Sequence, residues 1–275
     1  MQLLTLRTIL VATDLSDAAK AATESARALA AASGANLHIV HAGSASSARV
    51  LEHAGLREGE ARVHVAPGDP DAMIQTFATE FHADVIVLGP RGDSDEHELG
   101  GTAMSVATRA TVPCLVAGRP LKLPIERVLA PIDLSDTARG ALVVALQWAS
   151  ALRPTRARSF TPATLAAMYV YSSGDEPAAI RALDAEFERI RDDAGHWAGV
   201  AIERLVVSSA DPVDAIAKHA VDLTVIGTRG TGTSDAPRLG SVARAVLLRT
   251  KAPVLLVPPA VWSSLTASSV AARAS

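Results

Sequence analysis

Ile9-Leu-Val-Ala-Thr-Asp-Leu-Ser-Asp17 returns 119 residues later as Val128-Leu-Ala-Pro-Ile-Asp-Leu-Ser-Asp136. Each copy is an apolar run of strand length that closes on Asp-Leu-Ser-Asp and leads into an Ala-rich stretch of helical character. Further matches follow in the same order. Gly68-Asp-Pro-Asp-Ala72 pairs with Ala210-Asp-Pro-Val-Asp214, and Ala83-Asp-Val-Ile-Val-Leu-Gly-Pro-Arg-Gly92 with Val221-Asp-Leu-Thr-Val-Ile-Gly-Thr-Arg-Gly230. Arg109-Ala-Thr-Val-Pro-Cys-Leu-Val116 pairs with Arg249-Thr-Lys-Ala-Pro-Val-Leu-Leu256. An ordered set of matches of this kind marks a duplicated domain, and the 275 residues divide comfortably into two domains of ordinary size.

The anchors set the element order. Strands are expected at 7–13, 36–41, 61–66, 84–89 and 114–117, then at 127–132, 164–170, 202–207, 222–227 and 254–257. Helices are expected at 17–33, 69–82 and 101–110, then at 136–152, 177–198, 211–220 and 240–249; residues 43–60, rich in Gly and Ser, allow no more than a short one. Asp69 and Asp211 read as helix caps followed by proline in the first turn, where a missing N–H costs nothing. Apolar strands alternating with helices imply βαβ crossovers, hence an α/β fold of two tandem doubly wound domains, each with a five-stranded, mostly parallel sheet flanked by helices. The domains are placed at 1–120 and 125–260, with a linker at 121–124; the tail 261–275, with little to bury, is expected to fray.

Composition narrows the function. Hydrophobic residues make up 49% of the chain but aromatics only 3%, so the cores must be built from Ala, Val, Leu and Ile. A net charge of −3 argues against a nucleic-acid partner bound by phosphate neutralisation. No apolar stretch approaches the ~18 residues that cross a bilayer, and Met1–Arg7 lacks the layout of a signal peptide. A cytoplasmic protein with no membrane partner is expected. The single cysteine, Cys114, lies in an apolar run and reads as a buried small hydrophobe. His38 and His41, three apart on a strand, face opposite ways and make no metal site.

The chemistry concentrates after the strand ending at Ile226. Gly227-Thr-Arg-Gly230 is followed by nine residues and then by Gly240-Ser241, which opens a helix through Val242. Glycines let a backbone approach a polyphosphate, free N–H groups at a helix start donate to it, Ser241 adds a hydroxyl and Arg229 a charge. Neither the G-x-x-x-x-G-K-[ST] loop nor the G-x-G-x-x-G dinucleotide fingerprint is present. In a doubly wound sheet Asp133, at the end of the first strand of its half, faces the same crevice. Its carboxylate suits ribose hydroxyls, an adenine amine or a hydrated metal ion; alternatively it caps the next helix.

The spacing G-x2-G-x9-G-[ST], filled by Gly227, Gly230, Gly240 and Ser241 and joined to a first-strand Asp, resembles the universal stress protein family in its tandem-domain form, from about Arg7 to Val257. The resemblance implies an adenine nucleotide alpha hydrolase-like fold and ATP, brought with Mg²⁺, as the ligand. It also implies contacts from Pro131, Ile132 and Asp133 on the first strand, Val170 against the adenine, Ile226 before the loop and the Val242 N–H after Ser241. In such proteins the fifth strands associate, which here would pair the segments containing Cys114 and Leu255; a homodimer of the whole chain stays open. The first half departs from the pattern. Seven residues separate Gly92 from Gly100 and eight separate it from Gly101, so either Gly101 takes the hydroxyl position or the loop is one residue short. Residues 93–98 carry four carboxylates, and Ala42 stands opposite Val170. One nucleotide per chain, in the second half of a stress-response or regulatory protein, is therefore expected. Slow ATP hydrolysis or autophosphorylation, and a pseudo-dimer that binds no nucleotide, are the alternatives; no dedicated catalytic grouping is evident.

Overall fold

The computed structural model describes residues 5–90, 100–153, 162–172, 174–191, 199–230 and 238–264. The first half runs β1 (Thr8–Ala12), α1 (Asp17–Ser33), β2 (Asn36–Ala42), α2 (Ser47–His53), β3 (Arg62–Ala66), α3 (Pro70–Glu80), β4 (Val85–Leu88), α4 (Gly101–Arg109) and β5 (Cys114–Val116). The second runs β6 (Arg127–Ile132), α5 (Asp136–Ala151), β7 (Ala163–Tyr171), α6 (Glu176–Arg191), β8 (Val200–Ser208), α7 (Pro212–Ala217), β9 (Leu223–Gly227), α8 (Ser241–Arg249) and β10 (Val254–Val257).

The two five-stranded sheets fuse into one of ten strands, ordered β3-β2-β1-β4-β5-β10-β9-β6-β7-β8. Pairing is parallel within each half and antiparallel at the join, where Leu255 stands opposite Leu115 and Leu256 opposite Cys114. The association of the fifth strands is thus internal to the chain, and it removes two apolar edges at once. Strand alternation sends Ile9 and Val11 to one face and Leu10 to the other. Each face carries a core shared by both halves. One packs under α1 and α5, with Leu29, Leu142 and Trp148 buried; the other packs under α3, α4 and α8, with Ile74, Val106 and Val246. Cys114 is buried at the join, and burial pushes its thiol up to about 12.

The caps form as the sequence implied. Asp69 accepts from Asp71 N (2.9 Å), and Asp211 accepts from Val213 N (2.9 Å) and Asp214 N (3.1 Å), each ahead of its proline. Aspartate has a second use in the repeat. Asp84 Oδ2 accepts from Arg7 N (2.7 Å) and Thr8 N (2.9 Å), and Asp222 Oδ2 from Glu126 N (3.0 Å) and Arg127 N (2.9 Å). Each carboxylate ties the start of the first strand of its half to the turn before the fourth.

Some boundaries differ from expectation. α7 stops at Ala217 rather than 220: Lys218 N still makes the helical bond to Asp214 O, but His219 N bonds Ile216 O, an i→i−3 contact that tightens and ends the helix. α6 is described to Arg191, and the rest of the expected 177–198 helix lies outside the described residues. Residues 259–264 are helical instead of frayed, since Val261 and Trp262 pack against the core; 265–275 lie outside the described residues. No described helix is long and apolar enough to cross a membrane.

His38 and His41 do face opposite ways. His41 Nδ1 donates to Thr13 O (2.9 Å), whereas His38 Nδ1 and His64 Nε2 share a proton at 3.1 Å among the rings of Phe77 and Phe81. Burial holds both His38 and His64 below the ordinary imidazole range; the neighbouring charge of Arg62 adds to this, and Glu80 opposes it at His64. A depressed histidine binds its proton more weakly in the folded than in the unfolded chain. Its contribution to stability is therefore intact above about pH 6.5 and is lost as the pH falls below that value. We expect the urea midpoint to drop between pH 7.5 and pH 5.5, and His38→Gln/His64→Gln to flatten that dependence. An equal slope in the double variant would remove the pair as its source.

Candidate functional site

Strand order 3-2-1-4-5 in each half places a crevice beyond the carboxyl ends of the first and fourth strands, where successive connections leave on opposite faces. In the second half this crevice is a cavity of about 490 Å³. Pro131, Ile132, Asp133, Val170, Ile226, Gly227, Arg229, Gly230, Gly240, Ser241 and Val242 all line it, together with Met168, Tyr169, Pro212, Ile216, Ala138 and Ala243. Every site residue expected from sequence is therefore brought to one place. The cavity pairs an apolar lining from Met168, Val170, Ile216 and Ile226 with three polar groups: the Asp133 carboxylate, the Arg229 guanidinium and the Ser241 hydroxyl. Apolar walls with few polar groups are the usual make-up of a small-molecule site.

The turn that carries Asp133 is built locally. Asp133 Oδ1 accepts from Ser135 N (3.1 Å) and Ser135 Oγ (2.6 Å), which closes an Asx turn over Leu134, at φ 65°. The left-handed region is unfavourable for leucine, so these bonds hold the residue there. Ser135, not Asp133, is the N-cap of α5, its Oγ accepting from Ala138 N (3.1 Å). The capping alternative for Asp133 is corrected accordingly, because the turn through Leu134 sets the carboxylate two residues ahead of the cap position. The first half repeats the device: Asp14 Oδ1 takes Ser16 N (2.9 Å) and Ser16 Oγ (2.6 Å) over Leu15 at φ 66°. The shared turn accounts for an Asp in both halves without a ligand.

The glycines divide by role. A Cβ on Gly230 would collide with Asp133 Oδ2, so this position admits the loop backbone against the carboxylate. A Cβ on Gly227 would lie 2.8 Å from Thr137 Cγ2 and 3.1 Å from the Thr137 carbonyl carbon. Gly227 therefore also serves the close approach of α5 to β9, a packing requirement beside its place on the cavity wall. Gly240 N donates to Thr228 O (2.8 Å), and Gly240 is the N-cap of α8. No side chain caps that helix among the described residues, so its first N–H groups, beside Ser241 and Val242, open toward the cavity.

The structure also settles the alignment of the first half. Gly100 is the N-cap of α4, with φ −57° against −58° at Gly240, and its N donates to Pro90 O (2.8 Å) as Gly240 N does to Thr228 O. Gly100 thus matches Gly240, and Gly101 stands where Ser241 supplies a hydroxyl. Thr228 N donates to Val257 O (2.9 Å), a bond that Pro90 at the matching position has no N–H to make. The first crevice is a smaller cavity of about 300 Å³, lined by Thr13, Asp14, Ala42, Gly89, Gly100, Gly101 and Thr102 among others. The acidic segment 93–98 and Gly92 lie outside the described residues.

The sequence model described as the Universal stress protein family matches residues 5–60, 43–118 and 124–258. The chain belongs to the universal stress protein family. The repeated match restates the tandem layout. A universal stress protein from Archaeoglobus fulgidus DSM 4304 is similar over 92% of this chain and 98% of its own, with a TM-score of 0.65 at 21% identity. A putative universal stress protein from Pseudomonas aeruginosa UCBPP-PA14 covers 96% and 98%, with a TM-score of 0.64 at 19% identity. Both likenesses concern the fold. A universal stress protein solved in complex with cAMP matches 49% of this chain and 98% of its own at 30% identity, with a TM-score of 0.37. The search of the curated proteins matched none of them.

Proposed function

We propose that the second half holds one ATP per chain and that the protein acts as a nucleotide-dependent regulator. The observation that carries this reading is the convergence, on one cavity, of an uncapped helix N-terminus, a glycine-lined loop and a carboxylate. The α8 N–H groups, the Ser241 hydroxyl and Arg229 would take the phosphates. Asp133 would accept from the ribose hydroxyls, and the slot between Val170, Met168 and Ile216 would take the adenine. Mg²⁺ would travel with the phosphates: a carboxylate and a hydroxyl fit a hydrated ion that keeps most of its ligands from water and phosphate. Arg229 is the one cation among the described lining residues and no histidine or lysine joins it, so any phosphoryl transfer would be slow.

The first half lacks the Ser241 hydroxyl and has the smaller cavity, so it would serve as structural partner. The test is to purify the chain from cells, extract and identify small molecules, and titrate the stripped protein with ATP and with cAMP by calorimetry. One adenine nucleotide per chain, lost in Ser241→Glu, is the expected result. No bound nucleotide and no heat at millimolar ATP would leave the regulatory pseudo-dimer without a ligand; rapid phosphate release abolished in Asp133→Ala would make it an enzyme.

A further inference from the structure

The segment that leaves the fifth strand crosses the first helix of its half in both repeats, and it does so differently. In the first half Leu121 N donates to Ser25 Oγ (2.9 Å), two turns into α1. In the second the helical turn 259–264 lies against α5 at Gly140. A Cβ on Gly140 would meet Trp262 Cβ at 3.0 Å and the Trp262 backbone at 3.5 Å, so glycine at 140 is what lets this turn seat. The matching residue of α1 is Ala21.

The seat is fastened by a charge network centred on the largely covered Arg139 and Glu186 side chains. The Arg139 guanidinium stands 5.5 Å from the centre of the Trp262 ring, a distance at which the cation and the ring attract. Arg139 Nε also donates to Glu186 Oε2 (2.7 Å), and Arg139 bonds Asp136 in the first turn of α5. Glu186 is buried and takes a second cation, Arg189 (2.6 Å). Paired in this way, Arg139 is fixed in place.

From this seat, contacts run to the cavity in two directions. Through α5, Arg139 and Gly140 adjoin Thr137, which packs on Gly227, and Ala138, which lines the cavity; Ser135 holds Asp133 in its turn. Through the chain itself, Val257 O, two residues before the turn, accepts from Thr228 N within the glycine loop. The carboxylate and the loop that collide if Gly230 gains a Cβ are therefore each tied to the same C-terminal turn.

We propose that Trp262 and Arg139 are positioning residues for the second cavity, and that docking of the turn 259–264 and filling of the cavity are coupled. This rests on the nucleotide reading above. Two sites that stabilise one arrangement must do so reciprocally, so a turn that strengthens binding is itself held by the ligand, by the same factor. The test uses the full chain. ATP affinity is measured by calorimetry in wild type, Trp262→Ala and Trp262→Phe, and hydrogen exchange of the 260–264 amides is followed in wild type with and without saturating ATP. We expect Trp262→Ala to weaken ATP by about fivefold, at the low end of measured couplings, Trp262→Phe to recover most of that loss, and ATP to slow exchange of the turn by a similar factor.

Equal affinities together with exchange indifferent to ATP would overturn the coupling while leaving nucleotide binding intact. Wild type that takes no ATP would overturn both. Should Trp262→Ala fail to fold, the exchange measurement on wild type decides alone, since a merely structural turn would not respond to the ligand.

Discussion

Gly230→Val is expected to weaken ATP binding by about a hundredfold or more, roughly 3 kcal/mol, with the melting temperature little changed. The Cβ would strike Asp133 Oδ2, and relief requires either the loop to leave the cavity or the carboxylate to leave its turn. The second route costs the two bonds to Ser135 and frees Leu134 from its left-handed conformation. Both routes spoil the site while sparing the two cores, because Gly230 is a loop residue at the mouth of the cavity. Combining it with Asp133→Ala separates them. If the collision is the cause, the double variant should bind better than Gly230→Val alone, a positive interaction of the kind a double-mutant cycle isolates. An unchanged dissociation constant in the single variant would mean that the ligand lies elsewhere.

Leu255→Asp should be the most damaging single change to the fold. Leu255 is fully buried, paired with Leu115 across the join and with Val225 inside the second half. A carboxylate there would have to ionise without a partner or stay protonated, and on the order of 4 kcal/mol or more should be lost. The milder Leu115→Ala leaves a cavity at the same place and should cost about 3 kcal/mol. Because both cores run across the join, the halves should unfold together in wild type, seen as coincident transitions in far-ultraviolet circular dichroism and in tryptophan fluorescence. Leu255→Asp should separate or abolish these transitions. A urea midpoint close to wild type would show that the join contributes little to either half.

Much of this architecture was legible in the chain because the repeat supplied its own control. Strand-length apolar runs, capping aspartates before Pro70 and Pro212, and glycines at fixed spacing are local signals, and the structure places all of them where those signals said. Ends were harder to read. The C-terminal turn stays on the molecule because Val261 and Trp262 pack against residues far away in sequence. The Asp84 and Asp222 clamps were visible as letters in the repeat, but their partners lie 76 and 95 or more residues away.

The sequence by itself determined the fold class, the duplication and the residues that gather at the second cavity. These follow from periodicity and motif spacing, which short stretches of chain carry unaided. Tertiary structure alone decided what those residues do. It gave Gly227 a role in helix packing as well as a place on the cavity wall and Gly230 the clearance of Asp133, gave the cap of α5 to Ser135, and matched Gly100 with Gly240. It also seated Trp262 on Gly140. Each of these is a matter of which atom would meet which across a gap of a few ångströms, and such distances are set by packing between segments that the sequence keeps far apart.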